Sequence, residues 1–146
     1  MCDRRGVPLN AVLSPGQAAD CHYLPEVLDG VYIRVPGGWR CRPAEVVADK
    51  AYNGKAVRGY LRRRGIKALI PEIALAKGNQ RRKKGPHYRF NAETYKERNV
   101  VERLINHLKE MRRFATRFEK LATHFLAMVK LAFIHRILKQ SFSDTL

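Results

Sequence analysis

Acidic residues are what this sequence is short of. Asp and Glu number 13 against 29 Lys and Arg, which leaves a formal net charge of +16 at pH 7. A chain this basic repels itself unless it meets a polyanion, so nucleic acid is the default partner. A ribosomal protein or a basic regulator would share that property, so charge names no function. Cysteine is scarce too: Cys2, Cys21 and Cys41 are three, far apart and in no C-x-x-C spacing. That argues against a disulfide framework or a zinc site and fits a reducing cytoplasm. Cys21 and His22 are adjacent, but two further ligands at sensible spacing are missing. Long hydrophobic runs are lacking. The most apolar stretch, from Phe125 to Ile134, carries Lys130 in its middle and is too short to cross a bilayer, so it reads as a core helix and not a membrane span. The opening residues are charged and show no apolar signal-peptide core. No internal repeat is evident.

What is present is an ordinary apolar fraction, 45% of 146 residues. This is one domain or part of one, with enough apolar surface for a core and too much for a disordered chain. Asp3-Arg-Arg-Gly6 reads as a tight turn between the end of a strand and a return strand over Leu9 to Leu13. Only about three residues precede the turn where a stable partner strand needs about five, so the first strand of this hairpin is expected to be cut short. Asp20 stands where an N-cap would, ahead of a short helix from Tyr23 to Leu28. Pro36-Gly37-Gly38 reads as a loop. Ala44 to Ala48 follows as a short apolar strand that delivers Asp49 at its C-terminal end. In open α/β sheets ligand sites gather outside the carboxyl ends of strands, so Asp49 is well placed for chemistry. A strand-end Asp can equally bind nearby backbone amides.

Asn53-Gly54 opens the next helix, with Val57, Tyr60 and Leu61 inward and Arg58, Arg62, Arg63 and Arg64 largely outward. Gly65 closes it, and Ile66 to Ile70 forms a further short strand stopped by Pro71. A long basic connection runs over about 73–92 and holds Arg81, Arg82, Lys83 and Lys84, with Tyr88 and Phe90 close by. Such a loop is functional or disordered. Its cations suit a phosphate backbone and its rings could stack on bases, although four cations can also simply solubilise a loop.

The chain is organised around Tyr95 to Lys109. Val101, Leu104, Ile105, Leu108 and Met111 recur at helical spacing with no Pro or Gly between them, which predicts one continuous helix with an apolar stripe for the core. Tyr95, Arg98, Glu102 and Lys109 fall on a second stripe within an arc of about 60°. A phenol, a guanidinium, a carboxylate and an ammonium then line up beside the buried face. The same spacing also fits an i,i+4 ion pair between Arg98 and Glu102 on a solvated face. A basic hinge around Arg112, Arg113 and Arg117 leads to a last helix from about Lys120 to Lys139.

Tyr95, Arg98, Glu102 and Lys109 at these intervals resemble the C-terminal motif of insertion-sequence transposases with DDE chemistry. The run from Arg112 to Ala122 and the earlier Val47-Ala-Asp49-Lys-Ala-Tyr52 are similar to the insertion-sequence-five group in particular. The likeness extends from the Asp3–Gly6 turn to about Leu138. It implies an α/β architecture, a partial ribonuclease-H-like fold with a mixed sheet flanked by helices. Residues 1–111 would form an incomplete catalytic domain and 112–146 a helical C-terminal extension packed on it.

By the same resemblance, Asp49 is the second and Glu102 the third acidic ligand of two Mg²⁺ (or Mn²⁺) ions. Hard oxygen donors suit these cations, and a metal pair suits phosphodiester cleavage and transfer. Arg98 and Lys109 would contact phosphates, and Tyr95 would pack against or hydrogen-bond the DNA backbone. The sequence departs from the family pattern in two respects. The first acidic ligand belongs on a strand well ahead of the Asp3–Gly6 hairpin, and neither Asp3 nor Asp20 stands in the matching place. The N-terminal DNA-binding segment usual in the family is missing as well. The expectation is therefore the C-terminal part of a transposase, inactive alone, that acts on transposon ends and target DNA near the nucleoid. It would be joined to a half encoded in an upstream frame, or assembled with further copies. The alternative is a non-catalytic basic fragment, either a decayed remnant or one that occupies transposon ends.

Overall fold

The computed structural model describes residues 1–71, 92–116 and 118–143. They form an α/β protein of short strands and helices in two compact units, one of residues 1–41 with 99–146 and one of residues 42–98.

The first unit begins with a turn, not a hairpin of strands. Asp3 Oδ1 accepts from Arg5 N–H at 2.9 Å and Val7 N–H at 2.8 Å, Gly6 takes φ +79°, and a single bridge joins Cys2 to Pro8. The strand expected over Leu9 to Leu13 does not form among the described residues. A 3₁₀ turn, Asp20–Tyr23, precedes α1 (Leu24–Asp29), whose Leu24 and Leu28 are buried. Ala19, not Asp20, holds the capping position, and no side chain caps it. Pro36-Gly37, expected as plain loop, closes an antiparallel hairpin of β1 (Ile33–Val35) and β2 (Gly38–Arg40). Pro fixes the first turn position and Gly37, at φ +89°, supplies the positive φ that the second requires.

The second unit is built on a strand–helix–strand frame. β3 (Glu45–Val47) leads through a 3₁₀ turn, Lys50–Tyr52, into α2 (Lys55–Arg63) and then β4 (Lys67–Leu69). β3 and β4 pair in parallel, with Glu45 opposite Lys67, Val46 opposite Ala68 and Val47 opposite Leu69. Lys67 and Glu45 close a 3.0 Å ion pair across the first rung. Parallel strands need a crossover, and α2 supplies it, with Val57 and Leu61 buried alongside Val46, Ile66, Leu69 and Ile70. Each such side chain contributes about 1.5–3 kcal/mol on burial. Gly65, at φ +63°, ends α2 as expected. Its N–H bonds to Arg62 O at 3.0 Å and Ile66 N–H to Leu61 O at 2.8 Å, the paired bonds of a left-handed C-terminal cap. Arg42 adds a bond to the Arg64 carbonyl at 3.1 Å.

Arg58 departs from the expected outward set. Its side chain is half-buried, bonding the Ile70 carbonyl at 2.9 Å through Nη2 and the Asn53 side chain through Nε. It ties the start of α2 to the end of β4.

The helical remainder comprises α3 (Ala92–Lys96) in the second unit, and α4 (Asn99–Lys109), α5 (Arg112–Ala115) and α6 (Ala122–Ser143) in the first. The single helix expected from Tyr95 to Lys109 is interrupted. Glu97 and Arg98 bond back three residues, to Thr94 O and Tyr95 O, and Asn99-Val100-Val101 puts three weak helix formers in succession at the restart. From Asn99 onward the expected apolar stripe is realised at Leu104 and Leu108, which pack with Ala132 of α6 and are flanked by Cys2, Met111, Phe114 and Phe133. Ile105, at the edge of the stripe, is 42% exposed instead of buried. Phe114 and Phe125 stack at 5.7 Å between ring centres. α6 carries apolar residues on more than one face, and Leu131, Ile134, Leu138 and Phe142 stay exposed. Among the described residues no helix is long and apolar enough to cross a membrane.

Candidate functional site

β3 ends two residues before Asp49, so the carboxylate emerges at the carboxyl end of a parallel strand pair. Asp49 is half-buried and caps the 3₁₀ turn that follows, its Oδ1 accepting from Ala51 N–H at 2.9 Å. The second carboxylate oxygen meets no donor among the described residues. The side chain therefore has an ordinary structural role, capping, and an oxygen left over for a ligand. Asn53 and Arg58 stand beside this end of the unit, held to each other and to the Ile70 carbonyl. Tyr95 and Arg98 belong to the same unit. They are half-buried, and the Arg98 guanidinium lies 6.0 Å from the Tyr95 ring centre in a cation–π contact.

Glu102 and Lys109 belong to the other unit and are both exposed on α4. Glu102 is in the first turn and Lys109 in the last, the two ends where an acid and a base respectively favour the helix dipole. Seven residues apart, they stay on one stripe of α4. Of the four residues expected in a single row, the structure thus keeps two together on α4 and two together just ahead of it. Arg81, Arg82, Lys83 and Lys84 lie outside the described residues.

The transposase DDE domain family matches residues 1–137. The chain belongs to that family. It is also 32% identical over 130 residues to a Brucella ovis protein that carries the assignment of transposase for insertion sequence element IS6501, an alignment covering 89% of this chain and 88% of that protein. No solved structure matches the chain.

Transposases of the DDE family generally work with divalent metal ions, and the donors here can be weighed against such an ion. Asp49 and Glu102 offer hard carboxylate oxygens, the right kind for Mg²⁺. The number is short: among the described residues no three His, Cys, Asp or Glu side chains gather as a metal cluster. Of the acids ahead of Asp49, Asp3 is engaged in its own turn and Glu45 in the ion pair with Lys67. Asp20 is exposed on a 3₁₀ turn. None of these three stands at the carboxyl end of β3 or β4.

Sequence reasoning missed two features of this transposase-family chain. Arg58, placed outward by its helical angle, turns back to brace the strand ends of the Asp49 unit. A second basic face of α4, carrying Arg103 and His107, gave no signal of its own. The first could have been suspected from Asn53 at the helix start, the second only by asking what faces α4 from distant segments.

Proposed function

We propose that this chain is the downstream part of an insertion-element transposase that cleaves and transfers DNA strands on a ribonuclease-H-like frame. Asp49 would be the second and Glu102 the third acidic ligand for Mg²⁺ or Mn²⁺. Held there, the metal would supply activation of the attacking water or 3′-hydroxyl and stabilisation of the leaving oxygen. Arg98 and Lys109 would hold phosphates, with Tyr95 against the DNA backbone. Arg81, Arg82, Lys83 and Lys84 would add backbone contacts that carry no sequence information. The observation that carries this reading is the β3–α2–β4 unit, which presents a half-buried Asp49, one oxygen uncommitted among the described residues, just past the end of β3, within a family match that spans residues 1–137.

A first acidic ligand at the end of a neighbouring strand would come from another segment, such as a half encoded upstream. Until that ligand is supplied the metal pair would be poorly held and the chain would be inactive. The working enzyme would be found in the bacterial cytoplasm, on DNA, and would assemble with further copies of itself. The test is a strand-transfer assay on DNA carrying the element's ends. The chain alone is expected to show no product. Joined to an upstream segment whose apolar strand ends in Asp, it is expected to give Mg²⁺-dependent product that Asp49→Ala or Glu102→Gln abolishes. Product that survives both substitutions would refute the assignment.

A second reading keeps the DNA contact and drops the chemistry. It is favoured by the ordinary structural positions of both carboxylates, Asp49 as a cap and Glu102 in a solvated first turn. On that reading the joined enzyme stays inactive with any divalent ion while the chain still binds DNA with strong salt dependence.

A further inference from the structure

The flank of α4 that turns away from Glu102 and Lys109 faces an open groove of about 360 Å³. By helical angle Arg103 and His107 stand roughly 100–150° around α4 from that pair. The groove lies wholly within the unit of residues 1–41 and 99–146. It is lined by four arginines from three separate segments: Arg4 and Arg5 from the turn, Arg103 from α4 and Arg136 from α6. Against them, among the described residues, the lining holds a single carboxylate, Glu110, which is engaged by His107 at 3.1 Å. The trough is therefore strongly cationic.

The groove is also built. Gly6 brings the turn against α4 at a positive φ, so close that a β-carbon there would stand 3.3 Å from Val100 Cγ2. From α6, Gln140 donates to the Arg5 carbonyl at 3.0 Å. One helical turn earlier, the Nε of Arg136 is buried with no hydrogen-bond acceptor among the described residues. A buried charged donor without an acceptor is costly and rare in folded proteins.

We propose that this groove is a second binding site for the phosphodiester backbone of DNA, distinct from the stripe of Tyr95, Arg98, Glu102 and Lys109. An open trough lined by arginines on three segments suits a chain of phosphates better than a single enclosed anion, and guanidinium groups suit phosphate oxygens in paired hydrogen bonds. The net charge of +16 favours a polyanion over a small ligand. With both sites engaged, DNA would meet α4 on two flanks. The inference rests on the proposed DNA-binding function but not on the metal chemistry.

The test is the salt dependence of binding to a short, labelled, random-sequence duplex. Wild type is compared with Arg103→Gln, Arg103→Lys and the double variant Arg4→Gln/Arg103→Gln, all at exposed positions. Each phosphate that the protein no longer neutralises lowers the slope of log affinity against log salt by about 0.9. Arg103→Gln is expected to lower the slope by about that amount and the double variant by roughly twice it, while Arg103→Lys keeps the slope near wild type. Melting temperatures of all three should match wild type, and a lowered slope shared by Lys and Gln at position 103 would overturn the proposal by tracing the effect to misfolding. Unchanged slopes in Arg103→Gln and the double variant, alongside a lowered slope in Lys109→Gln, would overturn the groove and leave the proposed function standing. Lowered slopes in the groove variants, together with a joined enzyme that never transfers strands, would keep the groove and refute the catalytic reading.

Discussion

Replacing Asp49 by Asn and by Ala separates its two roles. The carboxylate accepts a hydrogen bond from Ala51 N–H at 2.9 Å and so caps the 3₁₀ turn after β3. Asn keeps an oxygen that can accept that bond and loses the charge, whereas Ala loses both. Removing a cap costs about 1 kcal/mol, which corresponds to a fall of roughly 2–4 °C in melting temperature for a chain of this size. Asp49→Ala should therefore melt about that much lower and Asp49→Asn close to wild type. As a metal ligand the two should behave alike. Loss of a group that merely supports a ligand costs about 10–100-fold, so loss of the ligand charge should lower Mg²⁺-dependent strand transfer by the joined enzyme at least about 100-fold in both variants. DNA affinity of the chain should barely change. Thermal unfolding followed by circular dichroism and a strand-transfer time course read the two effects separately. Wild-type transfer by Asp49→Asn would refute the ligand role, and equal melting of Asn and Ala would refute the cap.

Three further outcomes follow from the packing. Gly6→Ala forces a side chain into a left-handed position at φ +79° and against Val100 Cγ2, so it should destabilise by about 1–2 kcal/mol in thermal melts, and Gly6→Asn should be milder. Leu61→Ala empties a fully buried position on α2, the crossover of the β3–β4 pair, and should cost about 2–5 kcal/mol, measured as a shifted denaturant midpoint. Burial raises the Cys2 thiol above its ordinary pKa, and Asp3 adds to the shift while the nearby terminal ammonium opposes it. A raised pKa means less thiolate at a given pH, so Cys2 should alkylate more slowly than exposed Cys41 near neutral pH and catch up as the pH rises. Equal rates at neutral pH, read by mass spectrometry, would contradict this.

Much of the organisation was legible because it rests on local patterns. Val57 and Leu61 set the buried face of α2, Gly65 ended it, and Leu104 and Leu108 set the buried face of α4. Asp49 fell just past β3 because a short apolar run bounded by a polar residue reads readily as a strand in an α/β chain. What was missed depends on partners far away in sequence or on small energy differences. The β1–β2 hairpin rests on Pro36 and Gly37, whose composition signals a turn without saying that flanking Ile33–Val35 and Gly38–Arg40 will pair. The break before α4 arises at Glu97 and Arg98, where neither Pro nor Gly gives warning. Asp20 has the side chain of a cap, yet the 3₁₀ turn starts one residue too early to use it. The arginine groove needs the turn at residues 4–6, α4 and α6 together, and no periodicity within one segment can report that.

The most direct test of the metal chemistry asks where the ion binds, without relying on activity. In the joined enzyme, Mg²⁺ is exchanged for Fe²⁺, and peroxide with ascorbate generates hydroxyl radicals that cut the backbone beside the bound ion. Cuts are expected next to Asp49 and next to Glu102, both suppressed by excess Mg²⁺ and both lost in Asp49→Asn. Cuts confined elsewhere, or cuts at these positions that persist in Asp49→Asn, would contradict it.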